Sequence, residues 1–336
     1  RGLGDVYKRQ LIGTAVTLTL AFILRDVWAL IIGFTSETAF RCLLSHILCP
    51  FRPQIKIDRS SFYDLFKFAR GMVGLSILTY TAFNIDVLVL GKIVPADQVG
   101  MYGWAVALAM TPREFFSRII GPVLLPVFAE KQDDKQSLQG GILKISHAIS
   151  TFITPLIFFI VACSGSILSI AYGSEFKSVA VPFSLLCICT LVYIQGIPLA
   201  SVYLAIGRPY LHRRFVAIRA ASIVGLIYPG VLYFGLSGAA MVVLLSNILA
   251  WTIQVFCLRK TIGLQFKAYA FSILSGIKPT LIVLAPSIAM LYLGIDSPII
   301  NLLVIGSACL IACIYSLFTL AGQSEISKRF RPTPIK

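Results

Sequence analysis

Residues 76–105, SILTYTAFNIDVLVLGKIVPADQVGMYGWA, decide the fold class. An apolar run with one acid, Asp86, ends at Gly91 and Lys92, and a short polar turn follows from Pro95 to Gln98. A second apolar run then starts at Met101, Tyr102, Gly103 and Trp104. A charge at the centre of an inserting helix costs at least ~2.5 kcal/mol, so a buried carboxylate there faces a partner or a wet cavity. The stretch predicts a membrane hairpin with a functional interior.

Composition agrees. Of the 336 residues 57% are hydrophobic and only 13% charged, where soluble domains carry about 25% charged residues. An all-α, polytopic membrane protein is predicted. The formal net charge of +15 would suggest nucleic acid in a soluble chain. In a membrane protein Lys and Arg accumulate in cytoplasmic loops, so no nucleic-acid partner is expected.

The first ten residues, RGLGDVYKRQ, run straight into the apolar segment 11–24, which falls short of the ~20 residues needed to cross a bilayer. They read as a junction or artefact in place of a missing upstream sequence. About ten transmembrane helices follow, near 11–24, 27–48, 71–90, 102–128, 149–170, 179–205, 215–234, 239–257, 270–293 and 299–320. No barrel alternation is present, so the spans are helices with internally satisfied backbones.

Most of the chain's 29 Lys and Arg fall at or beyond the ends of the even-numbered spans, including Arg52, Lys131, Lys144, Arg213, Arg214, Arg219, Arg259 and Lys328. Arg25, Lys92 and Lys177 lie on the other side. The asymmetry predicts cytoplasmic even-numbered loops and a cytoplasmic C-terminus. Between spans two and three, 49–70 mixes Phe51, Phe62, Tyr63, Phe66 and Phe68 with basic residues. It reads as an interfacial linker lying along anionic lipid, or as an ordinary loop leading into a helix.

The run DVLVLGK at 86–92, VGMY at 99–102 and PVLLPVFAE at 122–130 resemble the polysaccharide-exporting flippases of the multidrug/oligosaccharidyl-lipid/polysaccharide exporter superfamily. AYGSEF at 171–176, LAIGRP at 204–209 and GLSGAA at 235–240 are similar to that family's pattern as well. The resemblance implies a fragment of a two-lobe flippase fold of about 12 to 14 helices that alternates access to a central cavity. On that pattern 11–48 ends the N-terminal lobe, 71–260 forms a C-terminal six-helix lobe, 261–322 adds two helices and 323–336 is a cytoplasmic tail. It further implies an undecaprenyl-pyrophosphate-linked oligosaccharide as cargo, moved across the bacterial inner membrane for lipopolysaccharide or exopolysaccharide biosynthesis. Membrane lipids are then partners, and a coupling ion, H+ or Na+, is unspecified.

Such a cargo needs buried cations. Span four supplies Thr111, Pro112, Arg113, Glu114, Phe115, Phe116, Ser117 and Arg118. A rise of ~1.5 Å per residue from Tyr102 puts Arg113 near mid-membrane and Arg118 in the inner half. Guanidinium pairs with phosphate oxygens through several donors, so Arg113, Arg118, Asp86 and Glu114 are the candidate substrate-binding residues. Two structural readings compete: Glu114 and Arg118 neutralise each other at i and i+4, or Arg113 reaches back to Asp86 across the hairpin. Pro112 removes a backbone hydrogen bond in mid-span and is the candidate hinge.

No catalytic residue, cofactor or metal is expected. The eight cysteines form no CxxC pair, the three histidines are scattered, and no GxxxxGK[ST] loop occurs. Two alternatives differ in what they require. A polysaccharide polymerase or ligase would carry a long basic external loop. A multidrug cation exporter of the same superfamily would favour intramembrane acids over bases.

Overall fold

The computed structural model describes residues 17–23, 26, 28, 31–36, 38, 39, 42, 59–294 and 297–329, with side chains from 77 to 320 and at a few earlier positions. The chain divides into two compact units, Arg1–Lys67 and Phe68–Lys336. In the first, 17–23 and 31–36 are helical, and a Cβ on Gly33 would overlap the Thr17 hydroxyl, so glycine sets that close approach. Half of expected span one, more than half of span two and residues 49–58 lie outside the described residues.

Every described element of the second unit is helical. Helix α1, Arg59–Ile93, is helical through the second half of the expected linker and stops before Pro95. Helix α2, Ala96–Ala129, starts after Pro95, with Asp97 in its first turn where the helix dipole favours an acid. Helix α3, Lys135–Ala162, is capped by Asp134, whose carboxylate accepts from the backbone N–H of Gln136 and Ser137. Hydrogen bonds from Ser137 hold the exposed Asp134 carboxyl below the usual aspartate range. The cap places the helix start well before the expected 149, so Lys144, read from sequence as a loop charge, stands exposed on α3.

Helix α3 ends at Cys163, and the short α4, Ser164–Tyr172, leads through Gly173 (φ 106°) and a tight turn, Ser174–Val179, into α5, Ala180–Ala205. Helix α6, Pro209–Ile262, would be roughly 80 Å long if straight. It reverses at Gly235, whose φ of 56° and ψ of −135° suit a residue without Cβ. A Cβ on Gly238 would overlap the Gly230 carbonyl, so the two arms fold back against each other, and the reversal falls between expected spans seven and eight. Helices α7, Phe266–Leu274, α8, Ile277–Tyr292, and α9, Pro298–Arg329, complete the unit.

Among the described residues, five stretches are long and apolar enough to cross a membrane: Lys135–Ala162, Ser174–Ala205, Pro209–Ile262, Phe266–Tyr292 and Pro298–Leu320. The chain is therefore a multi-pass membrane protein. Helix α2 carries Arg113, Glu114 and Arg118 together in its second half, which breaks its apolar run.

Helix α5 is the centre of the packing. Its Leu186, Cys187, Ile194, Leu199 and Tyr203 are fully buried, and it lies against α2, α3 and α6. Lipid tails are as apolar as leucine, so association relies on close contact and interhelical hydrogen bonds. Thr190 donates to the Ala109 carbonyl at 2.8 Å, Gln195 to Ser150 Oγ at 2.7 Å and Tyr203 to the Gln254 carbonyl at 2.8 Å. A second core, where α3, α8 and α9 meet, buries Cys163, Val283, Ile305, Cys309 and Ala312.

Candidate functional site

Helical spacing gathers polar side chains onto the inward faces of α1, α2, α5 and α6. On α1, Thr79, Phe83 and Asp86 recur at four and three residues; on α6, His212, Phe215 and Arg219 line the first arm and Asn247, Trp251 and Gln254 the second. Helix α5 contributes Cys189, Thr190, Tyr193 and Gly196 between them.

Two guanidinium groups share two aromatic rings. Arg113 Cζ lies 4.2 Å from the Phe83 ring centroid and 4.3 Å from that of Tyr193. Arg219 Cζ lies 4.4 Å from Phe83 and 5.7 Å from Tyr193. The rings meet edge-on, with centroids 5.9 Å apart at 61°. Desolvated cation–π contacts contribute about 2 kcal/mol each, against at least ~2.5 kcal/mol for an arginine at bilayer depth. Ring faces thus offset much of the burial cost while leaving the positive charge in place. Arg219 is only 7% exposed and its Nε has no acceptor.

Arg113 also donates to Met110 Sδ at 3.5 Å, and its Nη2 lies 3.4 Å from Glu114 Oε1. Its side chain is 17% exposed and that of Glu114 52%, so the pair sits at the edge of the cluster. The acid at Arg113 is thus the adjacent Glu114, reached by the long arginine stem, rather than Asp86. The i, i+4 pairing of Glu114 with Arg118 does not form either, and Arg118 is exposed on α2. Asp86, 4% exposed, accepts a 2.9 Å hydrogen bond from Tyr102 at Oδ2, while its Oδ1 has no partner.

Two cavities meet at this cluster. The larger, about 210 Å³, is lined by Tyr193, His212, Arg219, Asn247, Trp251 and Gln254 among others. The smaller, about 20 Å³, is lined by Phe83, Asp86, Cys189, Tyr193, Arg219 and Asn247. Tyr193, Arg219 and Asn247 belong to both walls. Of the residues singled out from sequence, Arg113 and Asp86 come together here, whereas Glu114 and Arg118 lie at or beyond the edge.

Arg219 is the residue that sequence reasoning misplaced. Next to Arg213 and Arg214 it counts as a loop charge, yet it lies one turn inside the expected span 215–234 and is buried in the first arm of α6. At ~1.5 Å per residue Arg219 lies ~6 Å inside that span, as deep in the inner half as the expected position of Arg118 in span four. Among the described residues no cluster of His, Cys, Asp and Glu is suited to a metal ion.

Known proteins are similar to this chain in sequence and in fold. The lipopolysaccharide biosynthesis protein WzxC of Escherichia coli K12 is 25% identical over 246 residues, covering 72% of this chain and 50% of WzxC. The amylovoran biosynthesis protein AmsL of Erwinia amylovora is 26% identical, over 73% of this chain and 64% of AmsL. The teichuronic acid biosynthesis protein TuaB of Bacillus subtilis is 23% identical, over 70% of this chain and 48% of TuaB. The chain thus spans about half to just under two thirds of the length of these relatives. The solved structure of the lipid II flippase MurJ in an inward closed conformation superposes with a TM-score of 0.69, over 91% of this chain and 66% of MurJ. At 14% identity that likeness shows the fold alone. The family model described as polysaccharide biosynthesis protein matches residues 8–181, more than half of the 336 residues. This chain belongs to the polysaccharide biosynthesis protein family, as its sequence resemblance led us to expect.

Proposed function

We propose that the chain forms the C-terminal part of a secondary transporter that flips undecaprenyl-pyrophosphate-linked oligosaccharide across the bacterial inner membrane, for lipopolysaccharide or exopolysaccharide biosynthesis, by alternating access. The supporting observation is the pair of guanidiniums, Arg113 and Arg219, held by ring faces deep in an apolar bundle. A cation kept in hydrocarbon by π-faces keeps its donors available to an anionic visitor. The names and fold of the relatives point the same way.

On this reading 71–260 is one six-helix lobe of a two-lobe carrier, two added helices follow it within the about ten helices of the present chain, and the C-terminus is cytoplasmic. Arg113 receives the pyrophosphate: its 3.4 Å contact with Glu114 loosens as phosphate oxygens replace the carboxylate. Arg118, exposed further along α2, is the second contact for a head group crossing the bilayer. Asp86, anchored by Tyr102, holds the opposite wall. Pro112, in the middle of α2, lets the half bearing Arg113 tilt against the half bearing Tyr102. No covalent chemistry is required, so the protein is a transporter and not an enzyme.

The test uses the complete gene in cells lacking it. Arg113→Ala abolishes surface polysaccharide without lowering the amount of protein in the membrane. Normal polysaccharide in that strain removes Arg113 from the site. The buried Asp86 is what favours a cation exporter instead, and Asp86→Asn with retained polysaccharide counts against that alternative.

A further inference from the structure

The larger cavity differs from a transport path in size and in chemistry. Its volume of about 210 Å³ holds roughly seven waters at about 30 Å³ each, below the roughly 300 Å³ where pockets for drug-sized ligands begin. A diphosphate carrying an oligosaccharide does not fit. The wall is donor-rich: Arg219, His212, Asn247, Gln254, Trp251 and Tyr193 contribute guanidinium, imidazole, amide, indole and phenol groups, and no Asp or Glu lines it. Asp86 faces only the smaller cavity on the other side of Arg219.

Three of these side chains, Arg219, Asn247 and Gln254, are more than nine-tenths buried. Arg219 forms no ion pair among the described residues, and its Nε and His212 Nδ1 are buried without hydrogen-bond partners. A buried donor without an acceptor costs about 1–3 kcal/mol, more when charged, and a buried charge demands a counter-charge. Glu114 is at Arg113, and Asp86 is engaged by Tyr102. What the cavity lacks is an acceptor with negative charge.

We propose that this cavity, between α5 and the two arms of α6, is a binding site for a small phosphate-type oxyanion, held by the Arg219 guanidinium with Asn247 and Gln254 as amide donors. The site shares Arg219 with the export reading but does not require that reading; it stands equally if the whole protein carries a cation. Phosphate matches the planar fork of arginine through two parallel N–H to oxygen bonds. The anion comes either as free phosphate or as the head group of a prenyl phosphate reaching in from the bilayer.

Equilibrium dialysis of the purified full chain, in detergent with potassium gluconate, against labelled inorganic phosphate tests the proposal. One saturable site per chain is expected, with at least a tenfold weaker affinity in Arg219→Gln and no change in Lys131→Gln, which removes one positive charge from an exposed turn. If Arg219→Gln does not fold, Arg219→Lys keeps the cation but loses the fork and binds several-fold more weakly. Vesicles containing a prenyl phosphate form the second arm. Displacement of bound phosphate by those vesicles identifies the lipid head group as the source, and lack of displacement identifies free phosphate; either supports the site. Absence of saturable binding to the wild type, or equal binding by Arg219→Gln, overturns it.

Discussion

The guanidinium cluster between α1, α2, α5 and α6 and the core where α3, α8 and α9 meet treat polar groups in opposite ways. In the second, Ser316 donates to the Thr151 carbonyl at 2.8 Å, Thr151 and Ser275 share a 3.2 Å hydrogen bond, and Thr280 donates to the Gly276 carbonyl. The hydroxyls of Ser316, Thr151 and Ser275 there fasten helices to one another, while that of Thr280 closes on its own helix. In the first, Arg113 and Arg219 rest on rings, and Arg219 Nε and Asp86 Oδ1 have no partner. Polar groups that close on themselves hold a membrane bundle together; those left open wait for something to visit.

The largest effect expected concerns the scaffold of the first region. Gly238→Val drives a Cβ into the Gly230 carbonyl, backbone against backbone at the α6 reversal. The cost is on the order of 3 kcal/mol, and size-exclusion profiles of a fluorescent fusion will lose the monodisperse peak. A normal peak means that the two arms of α6 can separate without loss of the fold.

A pair of substitutions then sets the two regions against each other. Arg219→Met replaces a buried cation with an apolar side chain, so stability stays equal or rises by about 1–4 kcal/mol while export by the complete protein falls at least ~10-fold. Ser316→Ala does the reverse: about 1 kcal/mol of stability is lost and export is unchanged. Melting curves in detergent together with surface polysaccharide measure both. If both substitutions lower stability and spare export, the contrast fails.

A smaller effect is expected from the rings. Phe83→Leu keeps the bulk but removes a π-face from both arginines. Export should drop by a few-fold, matching a loss of about 1 kcal/mol. No change would place the rings among ordinary packing.

The smallest effect lies outside the bilayer, at the Asp134 cap. Its carboxyl titrates below the usual aspartate value, so the folded state is favoured above the unfolded pKa, and that gain disappears as pH falls through the folded one. Hydrogen exchange at Gln136 and Ser137 should therefore quicken at acidic pH once corrected for intrinsic rates, and Asp134→Ala should remove that dependence.

Much of this was legible in the sequence. Long apolar runs between turns announced an all-helical membrane protein, and a lone acid and two arginines at bilayer depth pointed to the hairpin that holds Asp86 and Arg113. The reversal at Gly235 showed in the sequence 235–238, GLSG. Arg219 was hidden by its neighbours Arg213 and Arg214, which made it look like the tail of a loop. Phe83 and Tyr193 were hidden because a helix that is apolar all round presents no periodic face, so a ring turned inward reads like one turned to lipid. The partner of Glu114 followed tertiary packing over local spacing: with Arg113 drawn onto the rings, the adjacent carboxylate met its edge.

Reconstitution of the complete protein into vesicles, with labelled undecaprenyl-pyrophosphate-linked oligosaccharide in one assay and a cationic dye in another, is the most direct test of the idea that these buried arginines receive an anion. The expected result is translocation of the lipid-linked sugar, lost in Arg113→Ala and kept in Ser316→Ala, with no dye transport. Dye transport that survives Arg113→Ala and is lost in Asp86→Asn would contradict it.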